Sequence, residues 1–159
     1  MNSIRLLTVA FLLCFAPLVA QADDLLNPPY PALAAIQASL DHCRDTQPGN
    51  INEMLCAIEA DKAVDGVLNT LYGKIIAKLK QTDDPDHDIK DRTELLKRLV
   101  AAERAWIAYR EAECSHESGV YLGGSGEGTA LAYCRLEKRQ DRVNNLYRFY
   151  VKRFPDIAN

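Results

Sequence analysis

Asp65, Asn69 and Tyr72 stand at i, i+4 and i+7, so a helix would carry all three on one face. Asp61 falls on the same stripe. A later helix would place Arg110 one turn after Trp106, and a third would set Arg139 and Arg142 among core positions. A buried carboxylate is costly unless it is paired. Asp65 is therefore expected to meet an inward arginine, Arg110 or Arg142. Such charges could build a substrate site. The simpler reading is a structural polar network of Asp65, Asn69, Tyr72, Trp106, Arg110 and Arg142 that fixes helix register.

The second feature is the loop Ser118-Gly119-Val120-Tyr121-Leu122-Gly123-Gly124-Ser125-Gly126-Glu127-Gly128. A glycine-rich loop before a helix can cradle phosphate on its amides. This one lacks the Lys-Ser/Thr ending of a P-loop, no strand precedes it, and Glu127 would repel phosphate. A disulfide-anchored loop carrying Tyr121 and Leu122 is better suited to protein contact. Tyr121, Ser125 and Glu127 are the candidate partner-binding residues.

Other chemistry is poorly supplied. Asp84-x-Asp86-x-Asp88 resembles the start of a calcium loop, but Ile89 and Leu95 replace the required glycine and glutamate. The histidines are His42, His87 and His116, with no Ser/His/Asp or His-Glu-x-x-His pattern. No Cys-x2-Cys hairpin marks a zinc site. No catalytic residue, metal or cofactor is expected, and the chain is read as a binding protein rather than an enzyme.

Cysteine usage and the leading segment bear on compartment. Arg5 precedes an apolar stretch from Leu6 to Val19, and Ala20-Gln21-Ala22 then fits a small-x-small cleavage site. Residues 1–22 read as a secretory signal peptide, too short and cleanly ended for a membrane span. Leu13 before Cys14 does not suit a lipoprotein signal, so no membrane anchor is expected after cleavage. Cys43, Cys56, Cys114 and Cys134 remain, and an even count in an oxidising compartment reads as two disulfides. Of the three pairings, Cys43–Cys56 with Cys114–Cys134 is favoured, because each pair straddles a turn-forming segment. A periplasmic or secreted location follows.

These groups need elements to hold them. Among the 159 residues, 26% are charged and Leu, Ile and Val are ample, which argues against disorder. Residues 23–159 fit one domain. Removing residues 1–22 takes away one base and no acid, so the formal charge moves from −3 to −4. That balance gives no broad field for nucleic acid or anionic lipid. Asn27 to Pro31 reads as an extended arm. A short helix spans residues 32–43, with Leu33, Ile36 and Leu40 at helical spacing. A second helix runs from an Asn50 cap to about Gln81, with Met54, Ile58, Leu68, Tyr72, Ile75 and Leu79 inward. After the acidic turn 82–88, a third helix reaches about His116, with Leu95, Leu99, Trp106 and Tyr109 inward. Thr129 caps a fourth, which runs to about Phe154 through Leu136, Val143, Leu146, Tyr147 and Tyr150. The fold class is all-α: an antiparallel bundle of three long helices plus a short N-terminal helix and two disulfides.

The residues also carry a resemblance. Asn52-Glu53-Met54-Leu55-Cys56-Ala57, then Asp65, then Leu68-Asn69-x-x-Tyr72, look like the first half of the LprI-like lysozyme inhibitor domain. Glu103-Arg104-Ala105-Trp106-Ile107-Ala108-Tyr109-Arg110-Glu111-Ala112-Glu113-Cys114, Gly124-Ser125, Cys134, Arg142 and Leu146 resemble the second half. The likeness covers about Cys43 to Leu146. Glu103 is a departure, since the family usually shows Gln there. The resemblance implies a small, helical, disulfide-linked exported protein that inhibits a lysozyme. Lysozymes are commonly basic, and an acidic partner gains on-rate by steering. The alternative is an envelope adaptor or stress protein that binds another exported protein and touches no lysozyme.

Overall fold

The computed structural model describes residues 30–81 and 91–158. The signal peptide at 1–22, most of the extended arm and the acidic turn 82–88 lie outside the described residues. Four α-helices follow in order: α1 (Ala32–Thr46), α2 (Asn50–Lys80), α3 (Arg92–Ser118) and α4 (Glu127–Val151). A short 3-10 turn, Gly119–Tyr121, follows α3, and another, Pro155–Ala158, closes the described chain. No strand occurs among the described residues. Both disulfides pair as expected, Cys43–Cys56 and Cys114–Cys134, with Cα atoms 5.8 and 5.5 Å apart.

Successive helices run antiparallel, so α2 and α4 run parallel. Asn50 at the start of α2 meets Thr129 at the start of α4, and Lys78 near the end of α2 pairs with Asp156 beyond α4. These two helices form the centre. Ala57, Ala60, Val64, Leu68, Leu71, Ile75 and Leu79 line the inner face of α2. Leu136, Val143, Leu146, Tyr147 and Tyr150 line that of α4, and Phe154 and Ile157 cap it. The 3.6-residue period of both sets is what buries them together. Burying one such Leu or Ile side chain contributes roughly 1.5–3 kcal/mol. α1 lies on α2 through Leu33 and Leu40, and Tyr30 ties its start to α4 by a bond from its backbone N–H to Asn144 Oδ1 (2.9 Å) and an edge contact with Tyr147.

α3 is held differently. It buries only Leu99, Cys114 and Ser118. Leu95, Leu96 and Trp106 pack partly buried against the core, and three ion pairs to α4, Glu103–Arg142, Glu111–Arg135 and Glu117–Lys138, with the Cys114–Cys134 bridge, add to that hold. Asp91 caps it, accepting from the Glu94 N–H at 2.8 Å.

Four expectations about these helices need correction. Ile58 is 45% exposed and Tyr109 51% exposed, because the inner faces follow the α2–α4 and α3–α4 contacts and both side chains lie off them. Asn50 and Thr129 are not caps. Each lies inside the first turn of its helix, and their side chains bond to each other instead.

Candidate functional site

The loop between α3 and α4 closes on a covalent base. Cys114, in the penultimate turn of α3, joins Cys134 in the second turn of α4, and both are buried. Between them the loop is braced by its own bonds. The Leu122 N–H donates to the Gly119 carbonyl (3.2 Å) and the Gly124 N–H to the Tyr121 carbonyl (2.8 Å). Gly123 turns at φ +74°, a conformation that disfavours any side chain. Its N–H donates to Glu127 Oε2 at 2.9 Å.

The base is then fastened to α2. Asn50 Nδ2 donates to the Ser125 carbonyl (2.9 Å), and Thr129 Oγ1 donates to Asn50 Oδ1 (3.0 Å). Met54 packs so close that a Cβ on Gly128 would fall 2.7 Å from its sulfur. The tip is left in water: Val120 is 78%, Tyr121 54% and Leu122 80% exposed. Single exposed apolar residues are ordinary; three in succession on a braced loop form a patch.

Tyr121, Ser125 and Glu127 thus share one loop. Their roles differ. The Tyr121 ring lies over Gly126, leaving its outer face free. Ser125 gives its carbonyl to Asn50, and Glu127 turns one carboxylate oxygen back to close the loop. Leu122, which the sequence marks beside Tyr121 as suited to contact, and Val120, which it does not, are the most exposed members. Their signal was bulk between glycines, where no core position is available.

The six expected residues fall into two groups: Asp65 and Asn69 join Arg139, while Trp106, Arg110 and Arg142 gather with Glu103 and Glu111 near Tyr72. Asp65 pairs with Arg139 (3.2 Å), not with Arg110 or Arg142, and accepts from Asn69 Nδ2 (2.9 Å) as the i, i+4 spacing requires. Arg139 also ion-pairs with Asp61 and donates to its carbonyl (2.9 Å). Arg142 reaches Glu103 with Nε and Nη2 at 2.9 and 2.8 Å. Arg110 finds an acid on its own helix, Glu111, at 2.6 Å. Both guanidinium groups lie over the Trp106 ring, that of Arg110 5.0 Å and that of Arg142 5.7 Å from its centroid. The physical reason is orientation. Parallel running puts Arg139 level with Asp61 and Asp65, while Arg142 rises toward α3.

Glu111 links three helix positions, since Arg135 reaches its second oxygen at 2.6 Å. Burial pushes its carboxyl up, but the hydrogen bonds from Arg110 and Arg135 outweigh that and hold it below the ordinary carboxylate range. A lowered folded-state pKa contributes stability above the unfolded carboxylate value, lost as pH falls through the folded one. Glu111→Gln should therefore flatten the acid limb of melting temperature against pH below about pH 4. An acid limb identical to wild type would contradict the pairing.

Charge is divided along the bundle. Among the described acids outside ion pairs, Asp41, Asp45, Glu59, Glu113 and Glu137 lie in the half that carries the loop. Among such cations, Lys80, Lys97, Arg104, Arg148, Lys152 and Arg153 lie in the other half. Lys62, Asp91 and Asp141 are the exceptions, and the aspartates of the 82–88 turn lie outside the described residues. No group of His, Cys, Asp and Glu gathers as a metal site among the described residues.

The family model described as "Lysozyme inhibitor LprI" matches residues 43–146. The chain belongs to the LprI family. The LprI match begins at the first bridged cysteine and ends within α4, so it takes in both disulfides, the Asp65–Arg139 and Glu103–Arg142 pairs, and the whole loop. A relative, an uncharacterised protein of Rhizobium meliloti (strain 1021), is 32% identical over 93 residues, covering 58% of this chain and 67% of that protein. No solved structure matches. Among the described residues, no helix is long and apolar enough to cross a membrane.

Proposed function

We propose that this chain is an exported, non-enzymatic binding protein that inhibits a lysozyme or a related peptidoglycan hydrolase, docking through the loop between α3 and α4. The observation that carries the reading is the loop itself. Val120, Tyr121 and Leu122 stand exposed on a segment closed by a buried disulfide and fastened to α2. A loop already ordered loses little entropy on entering a cleft. Membership of a family named for lysozyme inhibition supports the partner. Two disulfides fit an oxidising, exported setting, reached by way of the residue 1–22 signal. The acids around the loop would steer a basic enzyme toward this end rather than the other.

The test is direct. Oxidised protein comprising residues 23–159 is added to c-type, g-type and i-type lysozymes clearing bacterial cell walls. At least one is expected to slow at micromolar inhibitor, with the effect weakening as salt rises. No slowing of any type at micromolar excess would contradict the proposal and favour the adaptor reading.

A further inference from the structure

The two disulfides are not equally shielded. Cys114 and Cys134 are 0% and 5% exposed. The Glu111–Arg135 and Glu117–Lys138 pairs bracket Cys114, one turn before it and one turn after. Cys56 is also buried, but its partner Cys43 is only partly so. Both line an open groove of about 420 Å³ between α1 and α2. Ala35, Ser39 and Ala63 on its walls are short and exposed, so the groove opens to solvent along both helices. Thiol–disulfide exchange depends on access to the sulfur that is attacked, and here only one bridge offers it.

We infer that Cys43–Cys56 is an exchange site: a dithiol reductant entering the α1–α2 groove opens this bridge in the folded protein and leaves Cys114–Cys134 closed. The reductant's thiolate bonds to the sulfur of Cys43, the more exposed of the two. The bond between the cysteine sulfurs breaks, and its electron pair leaves on Cys56, which takes up a proton. The reductant's second thiolate then attacks the reductant's own sulfur in the mixed disulfide and expels the Cys43 thiolate, which is protonated in turn. The dithiol ends as a disulfide and the protein bridge as two thiols. Opening stays local. α1 keeps Leu33 and Leu40 buried, and Tyr30 still holds its start to Asn144. Across the opened turn the Arg44–Glu53 pair remains, at 3.4 Å with both side chains well exposed, and such a pair is weak in water. Residues 41–49 are therefore loosened while the bridge under the α3–α4 loop persists. The site stands whether or not the protein inhibits a lysozyme.

The test treats the oxidised protein with dithiothreitol, a dithiol with no other charge, because Glu59 on the groove repels a more anionic reductant. Timed samples are trapped with N-ethylmaleimide and cut to peptides, and mass spectrometry reads the label on each cysteine. Cys43 and Cys56 are expected to be labelled at least about tenfold faster than Cys114 and Cys134, at a rate linear in reductant and unmoved by low urea. In the half-reduced protein, amide exchange should quicken at residues 41–49 and not at 119–126. Equal rates for the two bridges, or faster loss of Cys114–Cys134, would overturn the inference. Quickened exchange at 119–126 in the half-reduced protein would overturn it too. So would a Cys43–Cys56 rate that saturates with reductant and climbs with urea, because unfolding rather than the groove would then expose the bridge.

Discussion

Arg139→Ala is expected to lower the unfolding free energy by about 3–5 kcal/mol, the usual cost of removing one partner of a buried ion pair. Arg139 is 7% exposed and holds three acceptors on α2: the Asp61 and Asp65 carboxylates and the Asp61 carbonyl. The two acids do not share the loss. Asp65 has a side chain 46% exposed and can be hydrated, while Asp61, at 18%, is left nearly dry. The cost is therefore assigned to Asp61. Thermal melting should fall by on the order of 10 °C. Replacing both charges, Asp61→Leu with Arg139→Met, leaves no buried ion unpaired and should recover most of that loss. Inhibition per folded molecule should be unaltered in both, because the pair lies remote from the loop. If Arg139→Ala melts with wild type, the α2–α4 seam does not depend on this pair.

The second large effect is expected from Cys114→Ala/Cys134→Ala. The bridge closes a segment of sequence separation 20. Loop-closure entropy alone gives about 3 kcal/mol for a segment of this length. Its removal should also act locally. The last turns of α3 have little buried apolar surface, so without the bridge they depend on the Glu111–Arg135 and Glu117–Lys138 pairs, which are partly exposed and weak in water. The loop should loosen, with faster amide exchange at residues 119–126 and weaker inhibition. Cys43→Ala/Cys56→Ala removes a bridge of separation 13 and should cost similar stability without loosening that loop. Equal loss of inhibition in both variants would show that stability alone, not loop closure, is at stake.

Much of this architecture is written in local spacing. The 3-4 period of Leu136, Val143, Leu146, Tyr147 and Tyr150 marks the inner face of α4, and the glycines and Pro48 mark the turns. The cysteine pairing follows from two turns that each bring a pair together. What spacing on one helix cannot specify is the direction of its neighbour. The expectation that Asp65 needs a cation took it for buried, whereas its side chain is 46% exposed and Asp61 is the drier acid. That both meet Arg139 rather than Arg142 or Arg110 depends on α2 and α4 running parallel in register. Ile58 shows the same limit. The first half of α2 carries apolar residues on two faces, Ala57 and Ala60 on one and Ile51, Leu55 and Ile58 on the other. Only the packed neighbours decide which face is core. The candidate loop was visible through its glycines, whereas its fastening to α2 joins residues 75 positions apart and had no local signature.

The measurement that bears most directly on the central proposal pairs wild type with Val120→Ser/Tyr121→Ala/Leu122→Ser in a cell-wall clearing assay and a binding isotherm against the same lysozyme. These side chains are exposed, so folding and both disulfides should be retained. Wild type is expected to slow clearing, and the loop variant to lose at least about tenfold in affinity, the scale set by losing one to two well-buried anchors. A loop variant that inhibits as strongly as wild type would contradict it.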